Sequence, residues 1–323
     1  MTFADITNDL APELRRLNEI IAEALATPTP LMNEIVTRYL QSKGKQIRPV
    51  MVMLSARLLG SVTDRVLHAA ASMEMLHNAS LIHDDVVDDT LTRRGRRTIN
   101  AIWDNHIAVL VGDYFMSGAL NEGVLTGSLP IVEALSELGK ELSLGEIHQI
   151  CNAREQQFRI ADYFTAIRKK TASLFMQCAR VGAEAVDAPA ELSRPLVMYA
   201  EQLGLCFQIR DDIFDYFSDD EIGKPTGNDL REGKVTLPLL HALQVAPADQ
   251  SDRMKELIRR GNLIDTEIQS LIQFTKDNGG IEFAYSEMER LHTEALPWLL
   301  SYPASPTRDA LRDIFTFIIA RKN

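Results

Sequence analysis

The stretch ASLIHDDVVDD, residues 79–89, sets four aspartates at the end of an apolar run. Asp84 and Asp88 are four apart, and side chains at i and i+4 of a helix share a face. Like charges one turn apart repel, by roughly 0.2–0.5 kcal/mol per pair. A helix ending this way calls for something positive to compensate it. The pattern returns in FQIRDDIFD, residues 207–215, with Asp211, Asp212 and Asp215. One DDxxD reads as well as a solvated acidic helix end. Two copies, each closing an apolar helix, point to hard cations. Magnesium takes oxygen ligands, typically one or two carboxylates completed by substrate phosphates.

Outward from these two stretches the chain reads as helix. Leu14, Leu17, Ile21 and Leu25 recur at three and four, and the run Thr27–Pro30 stops that helix. Further helices are expected over 31–42, 63–89, 107–125, 130–154, 161–185, 194–217 and 306–321, broken by RRGRR at 93–97 and the polar loop 218–234. RPLVMYAEQLGLCFQI, residues 194–209, is apolar nearly all round, as helices in the middle of a bundle are. No strand alternation or βαβ rhythm is present. The expectation is an all-α fold, with residues 1–323 as a single domain.

The net charge of −11 argues against a general nucleic-acid binder. Cys151, Cys178 and Cys206 are widely spaced, with no CxxC pair, and suit a reducing cytoplasm as small apolar packers. The N-terminus has early acids and no apolar core, so it does not read as a secretory signal. No uncharged apolar run reaches the 18 or so residues that span a bilayer. A peripheral membrane contact stays open.

Basic residues flank both aspartate sets. Arg93 and Arg94 follow the first; Lys224 and Lys234 follow the second. Lys45 and Arg48 stand in GKQIRP, and Lys169 and Lys170 in RKKTASLF. Arginine and lysine beside magnesium carboxylates suggest phosphate groups. GNDLREGKV does not meet P-loop spacing, and DDEIGKPTGND lacks the acid spacing of a calcium loop. There is no GxSxG or GxGxxG. Metals, phosphates and an apolar interior suit ionisation of an allylic diphosphate.

Taken together, GKQIRP, HDDVVDDTLTRRG, GDYF, KTASLF, FQIRDDIFD and GKPTGNDLREGK resemble, in order and over nearly the whole chain, the trans (E)-isoprenyl diphosphate synthases. The likeness is greatest to bacterial octaprenyl-type, long-chain enzymes. It implies an isoprenoid-synthase-type helical bundle around an apolar cavity. It implies that Asp84, Asp85 and Asp88, with Asp211, Asp212 and Asp215, hold three Mg²⁺. It implies that Lys45, Arg48, His77 and Arg94 bind isopentenyl diphosphate. Arg93, Lys170, Lys224 and Lys234 would bind the allylic diphosphate, expected to be farnesyl diphosphate. Thr171 and Gln208 would stand near the reacting carbons. Spacing agrees in part: Gln208 is three before Asp211, and His77 is seven before Asp84, two turns away on one stripe. His83 reads as structural. The family is usually homodimeric.

Short-chain members often carry an aromatic four or five residues before the first aspartate. Here those positions are Ser80 and Ala79, with Leu76 a further turn along. Small residues leave room for a long tail, with Phe115, Met116 or Leu120 as candidate floor. The expectation is a long-chain synthase. The alternatives are a geranylgeranyl or farnesyl diphosphate synthase, a class I terpene cyclase, and a non-catalytic partner subunit. GEIHQ, residues 145–149, reads either as a polar turn toward the cavity or as a packing kink.

Overall fold

A computed structural model describes residues 1–41, 44–93, 95–155, 158–217 and 227–320, without the side chains of 152–155. The chain is helical almost throughout: α1 Phe3–Asp9, α2 Ala11–Ala24, α3 Pro30–Leu40, α4 Ile47–Leu59, α5 Asp64–Val87, α6 Ile99–Ile102, α7 Asn105–Leu125, α8 Leu129–Glu155 and α9 Ile160–Ile167. After a π-helical turn, Arg168–Ala172, come α10 Ser173–Glu184, α11 Ala190–Phe214, α12 Asn228–Arg231, α13 Leu237–Val245, α14 Ala248–Arg260, α15 Asp265–Asp277, α16 Gly280–Leu300 and α17 Pro306–Ala320. The described residues on either side of Arg94 form a small hairpin rather than a plain break. Strands β1 (Thr92–Arg93) and β2 (Arg96–Arg97) pair antiparallel, with Thr92 opposite Arg97 and Arg93 opposite Arg96. Gly95, at φ +71°, makes its turn. The helix expected over 161–185 is divided by the π-helical turn.

The chain forms two compact units. The first takes residues 1–140, 174–197 and 301–313. Its centre is α5, buried nearly all round through Val66, Ala69, Ala70, Met73, Leu76, Ala79 and Ile82. It packs most extensively on α7, then on α4 and α2. Close crossings need small residues. A Cβ on Gly112, in GDYF, would lie 2.2 Å from His83 Nε2. His83 Nε2 lies 3.1 Å from the Val109 carbonyl, which fits the structural reading of that histidine. A Cβ on Gly182 would lie 2.4 Å from the Val52 carbonyl oxygen and 2.8 Å from Ser55 Cβ, both on α4. Gly182→Ala is therefore expected to destabilise the protein. Overpacking against backbone costs about 1–3 kcal/mol or more, against roughly 1 kcal/mol gained in helix propensity. A denaturation midpoint equal to wild type refutes the close crossing. Pro195 interrupts the α11 ladder, where Tyr302 bridges the gap. Its hydroxyl accepts from Leu196 N–H at 3.1 Å and donates to the Leu192 carbonyl.

The second unit takes residues 141–173, 198–300 and 314–323. Its core gathers Tyr216, Leu239, Leu243, Ile258, Ile268, Leu271, Ile272 and Ile281. Here α13 packs on α9, α14, α15 and α16. Cys178 and Cys206 are buried as expected, but Cys151 is exposed on α8. Among the described residues no helix is long and apolar enough to cross a membrane.

Candidate active site

In the first unit α5 ends at the first aspartate set. Helix ends leave carbonyls without partners. Here the Asp85 carbonyl accepts from Thr90 N–H at 2.9 Å and from Asn100 Nδ2 at 3.0 Å, and Asn100 Nδ2 also donates to the Thr90 carbonyl at 3.1 Å. Asp89, at φ 49°, turns the chain out of the helix. The hairpin then brings Arg93 back, and its Nε donates to Asp85 Oδ1 at 2.7 Å. Asp85 is only 5% exposed, so the positive charge demanded by the motif is met there by Arg93. The two line a cavity of about 60 Å³ with Tyr39, Leu81 and Trp103. Asp84 and Asp88 are half-buried and share the stripe of His77 and Ser80 by spacing. His77 is buried, and Ser80 Oγ donates to its carbonyl at 2.9 Å. Arg48 lies over the Phe175 ring, 5.5 Å from its centroid, while Lys45 is exposed. Ala79 and Leu76 are buried. Of the floor candidates Phe115 is fully buried, edge-on to Tyr39 at 5.2 Å. Leu120 is 44% exposed and faces outward, so it does not form a floor within this chain. Arg94 lies outside the described residues.

In the second unit α11 carries the other set. Asp212 is 4% exposed, and both its oxygens are held. Tyr163 donates to Oδ2 at 2.6 Å and Gln208 Nε2 donates to Oδ1 at 2.8 Å. Thr171 Oγ1 donates in turn to Gln208 Oε1 at 2.6 Å. Gln208, expected beside Asp211, is thus bonded to Asp212, its i+4 neighbour. Burial pushes the Asp212 carboxyl up to about 7; its two hydrogen bonds oppose this, and the charges of Asp211 and Asp215 add to it. Asp229 is raised well above the usual carboxylate range, first by burial and then by the charge of Asp212. Asp215 accepts from the backbone N–H of Asn228 at 2.9 Å and of Asp229 at 3.0 Å. It thereby caps the start of α12. Burial raises its pKa, and these two bonds pull the other way.

A cavity of about 160 Å³ brings predicted residues together. Lys170, Thr171, Gln208, Asp212 and Lys234 line it with Gln149, Tyr163, Asp229 and the apolar Phe158, Ile167, Val235 and Leu240. Lys170 and Thr171 stand in the π-helical turn, a distortion that recurs at functional sites. Lys170 Nζ lies 2.5 Å from Glu146 Oε2 and donates to Gln149 Oε1 at 2.9 Å. GEIHQ therefore reaches the site and is not only a packing kink. Lys234 Nζ pairs with Glu232 at 2.5 Å. Lys224 lies outside the described residues.

The donors fit magnesium by chemistry. All six aspartates carry hard oxygens, of which those of Asp212 and Asp215 and one of Asp85 accept the protein hydrogen bonds described above. Among the described residues no group of three or more His, Cys, Asp or Glu is placed to enclose a metal unaided. Magnesium commonly takes one or two carboxylates and is completed by substrate phosphates.

The family model for polyprenyl synthetase matches residues 29–275. The chain belongs to that family. A heptaprenyl diphosphate synthase component 2 from Geobacillus stearothermophilus is 35% identical over 312 residues, covering 96% of each chain. The crystal structure of a decaprenyl diphosphate synthase from Rhodobacter capsulatus superposes with a TM-score of 0.93 at 32% identity, covering 98% of each chain. That of a geranylgeranyl pyrophosphate synthase from Bacteroides thetaiotaomicron gives 0.85 at 38% identity, also covering 98% of each. As a member of the polyprenyl synthetase family, the chain is a prenyltransferase with the all-α isoprenoid-synthase fold.

Sequence reasoning missed four residues. Tyr163 carries no local signal, because only α9 folding against α11 brings it to Asp212. Asp229 was visible within the GNDLREGK stretch but without a role. Asn100 lies beyond the hairpin. Arg210, immediately before the second aspartate pair, is 7% exposed, bonds Tyr285 and stacks over Phe214 at 4.7 Å. An arginine four before an aromatic on an otherwise apolar helix was a readable cue for that stack.

Proposed function

We propose that the protein is a long-chain trans-polyprenyl diphosphate synthase. It would add isopentenyl diphosphate head to tail onto an allylic diphosphate, with farnesyl diphosphate as primer. The observation that carries this reading is the convergence of Lys170, Thr171, Gln208, Asp212 and Lys234 on one cavity with apolar walls. Asp84, Asp85, Asp88 and Asp211, Asp212, Asp215 are the residues that would hold Mg²⁺, three per site by family likeness. When bound, Mg²⁺ would neutralise the diphosphate and make it a leaving group.

The protein's own groups then have distinct tasks. Lys170, Lys234, Arg93 and Lys224 bind the allylic diphosphate through charge-assisted hydrogen bonds. Lys45, Arg48, His77 and Arg94 hold the diphosphate of isopentenyl diphosphate. Thr171 and Gln208 present oxygen dipoles to the allylic carbons as positive charge develops. The C–O bond of the allylic substrate breaks, and the isopentenyl double bond attacks the resulting cation. The new C–C bond leaves a tertiary cation, which loses a proton to the released diphosphate. The five-carbon-longer product re-enters as the allylic substrate.

Product length rests on Leu76, Ala79 and Ser80, because the relatives bear names from geranylgeranyl to decaprenyl. The two small residues support a tail that runs past the first aspartate set. The experiment is the product profile from farnesyl diphosphate, excess isopentenyl diphosphate and Mg²⁺, read by mass spectrometry. Products of about 35–50 carbons are expected from the small side chains at Ala79 and Ser80 on α5, a helix roughly 36 Å long. Products of fifteen or twenty carbons overturn the length assignment and leave the chemistry.

For quaternary state the reading is a homodimer in the cytoplasm, with a peripheral membrane contact for product release. Its support is the face of α7, where Val109, Leu110, Leu120 and Val124 are 41–63% exposed. Activity of the purified chain alone, as a dimer in sedimentation, supports this. Activity that appears only when a second, different chain is added favours the component architecture named in the Geobacillus relative.

A further inference from the structure

GEIHQ, residues 145–149, has no part in the function described so far, yet it is built against Lys170. A Cβ on Gly145 would stand 2.9 Å from Lys170 N and 3.1 Å from Lys170 Cα. Glycine there lets α8 meet the backbone of the π-helical turn. The next residue, Glu146, sets its Oε2 2.5 Å from Lys170 Nζ. One turn from Gly145, Gln149 Oε1 accepts from the same ammonium at 2.9 Å. An ammonium has three N–H donors. Two of them are directed to α8.

The two acceptors are not equivalent. Lys170 and Gln149 line the cavity; Glu146 does not. The Glu146 side chain is 15% exposed against 27% for Lys170. Glu146 therefore grips the ammonium from behind the cavity wall. We propose that Glu146 is a positioning residue that pre-orders Lys170, leaving one N–H aimed at the allylic diphosphate. This rests on the assignment of Lys170 to that diphosphate. An untethered lysine must be ordered when the anion arrives, and the lost rotamer freedom weakens binding. The opposite role is a competitor, in which the Glu146 carboxylate holds the lysine away from phosphate. The two roles move KM in opposite directions.

The test uses the full chain with Mg²⁺, farnesyl diphosphate and isopentenyl diphosphate. Glu146→Ala is expected to raise KM for farnesyl diphosphate about five- to tenfold. KM for isopentenyl diphosphate should stay within about twofold, because that substrate does not use Lys170. Glu146→Gln keeps an acceptor oxygen and should hold both constants within about twofold of wild type. An unchanged or lowered farnesyl KM in Glu146→Ala overturns the proposal, as does an equal rise in both constants or a Glu146→Gln as impaired as Glu146→Ala. Lys170→Ala separates the two levels. If its farnesyl KM does not rise, the assignment of Lys170 itself fails. If it rises while Glu146→Ala does not, only the positioning role fails.

Discussion

Asp211→Ala is expected to lose about a thousandfold or more in kcat/KM, and Asp84→Ala a similar amount. Each variant removes a hard oxygen donor from a helix end where the expected ligand is a metal-bound diphosphate. Asp211 and Asp84 stand first in their two sets. Asp215 also caps α12, and Asp212 anchors Tyr163 and Gln208. Substituting either of those would mix a folding defect into the kinetics. Asp85 is tied to Arg93 in the same way. Stopped assays over a Mg²⁺ titration, with circular dichroism to confirm folding, make the measurement. Metal-dependent turnover retained in both folded variants would remove the magnesium–diphosphate reading altogether.

Ala79→Tyr is expected to move the product distribution from about 35–50 carbons down to 15–20 carbons. Ala79 is fully buried on α5, where that helix packs on α7. A phenol there has no space except by displacing its neighbours, and such overpacking costs about 1–3 kcal/mol. Ser80→Phe is the companion variant, since Ser80 is half-buried and one turn from Asp84. In the wild type the Ser80 hydroxyl folds back onto the His77 carbonyl at 2.9 Å, which keeps that face of α5 narrow. Mass spectra of products from either folded, active variant decide the matter. Wild-type product lengths from both sink the assignment of residues 79 and 80.

The helices were legible because their apolar spacing repeats at three and four, a local property that tertiary contacts only reinforce. The α5 and α11 spans shifted by a few residues at most. The hairpin at RRGRR was not legible, since two-residue strands have no periodicity to read. The π-helical turn was hidden as well. Residues 161–185 carry one continuous apolar rhythm, and the extra residue at Arg168–Ala172 shows only in the backbone hydrogen bonds.

The candidate site divides in the same manner. The aspartates, Lys170, Thr171 and Gln208 announce themselves by residue type and spacing within one helix. Their partners do not. Tyr163 meets Asp212 across 49 residues of chain, and Glu146 meets Lys170 across 24.

By itself the sequence determined an all-α chain, two aspartate sets that end apolar helices, and a chemistry of cations and phosphates. Periodicity and charge spacing are properties of single helices, so they survive without knowledge of neighbours. Only the tertiary structure decided which charges are already spoken for. Arg93 holds Asp85, Tyr163 and Gln208 hold Asp212, Asp215 caps α12, and Glu146 holds Lys170. Those pairings depend on burial, and burial is settled where helices distant in sequence pack together.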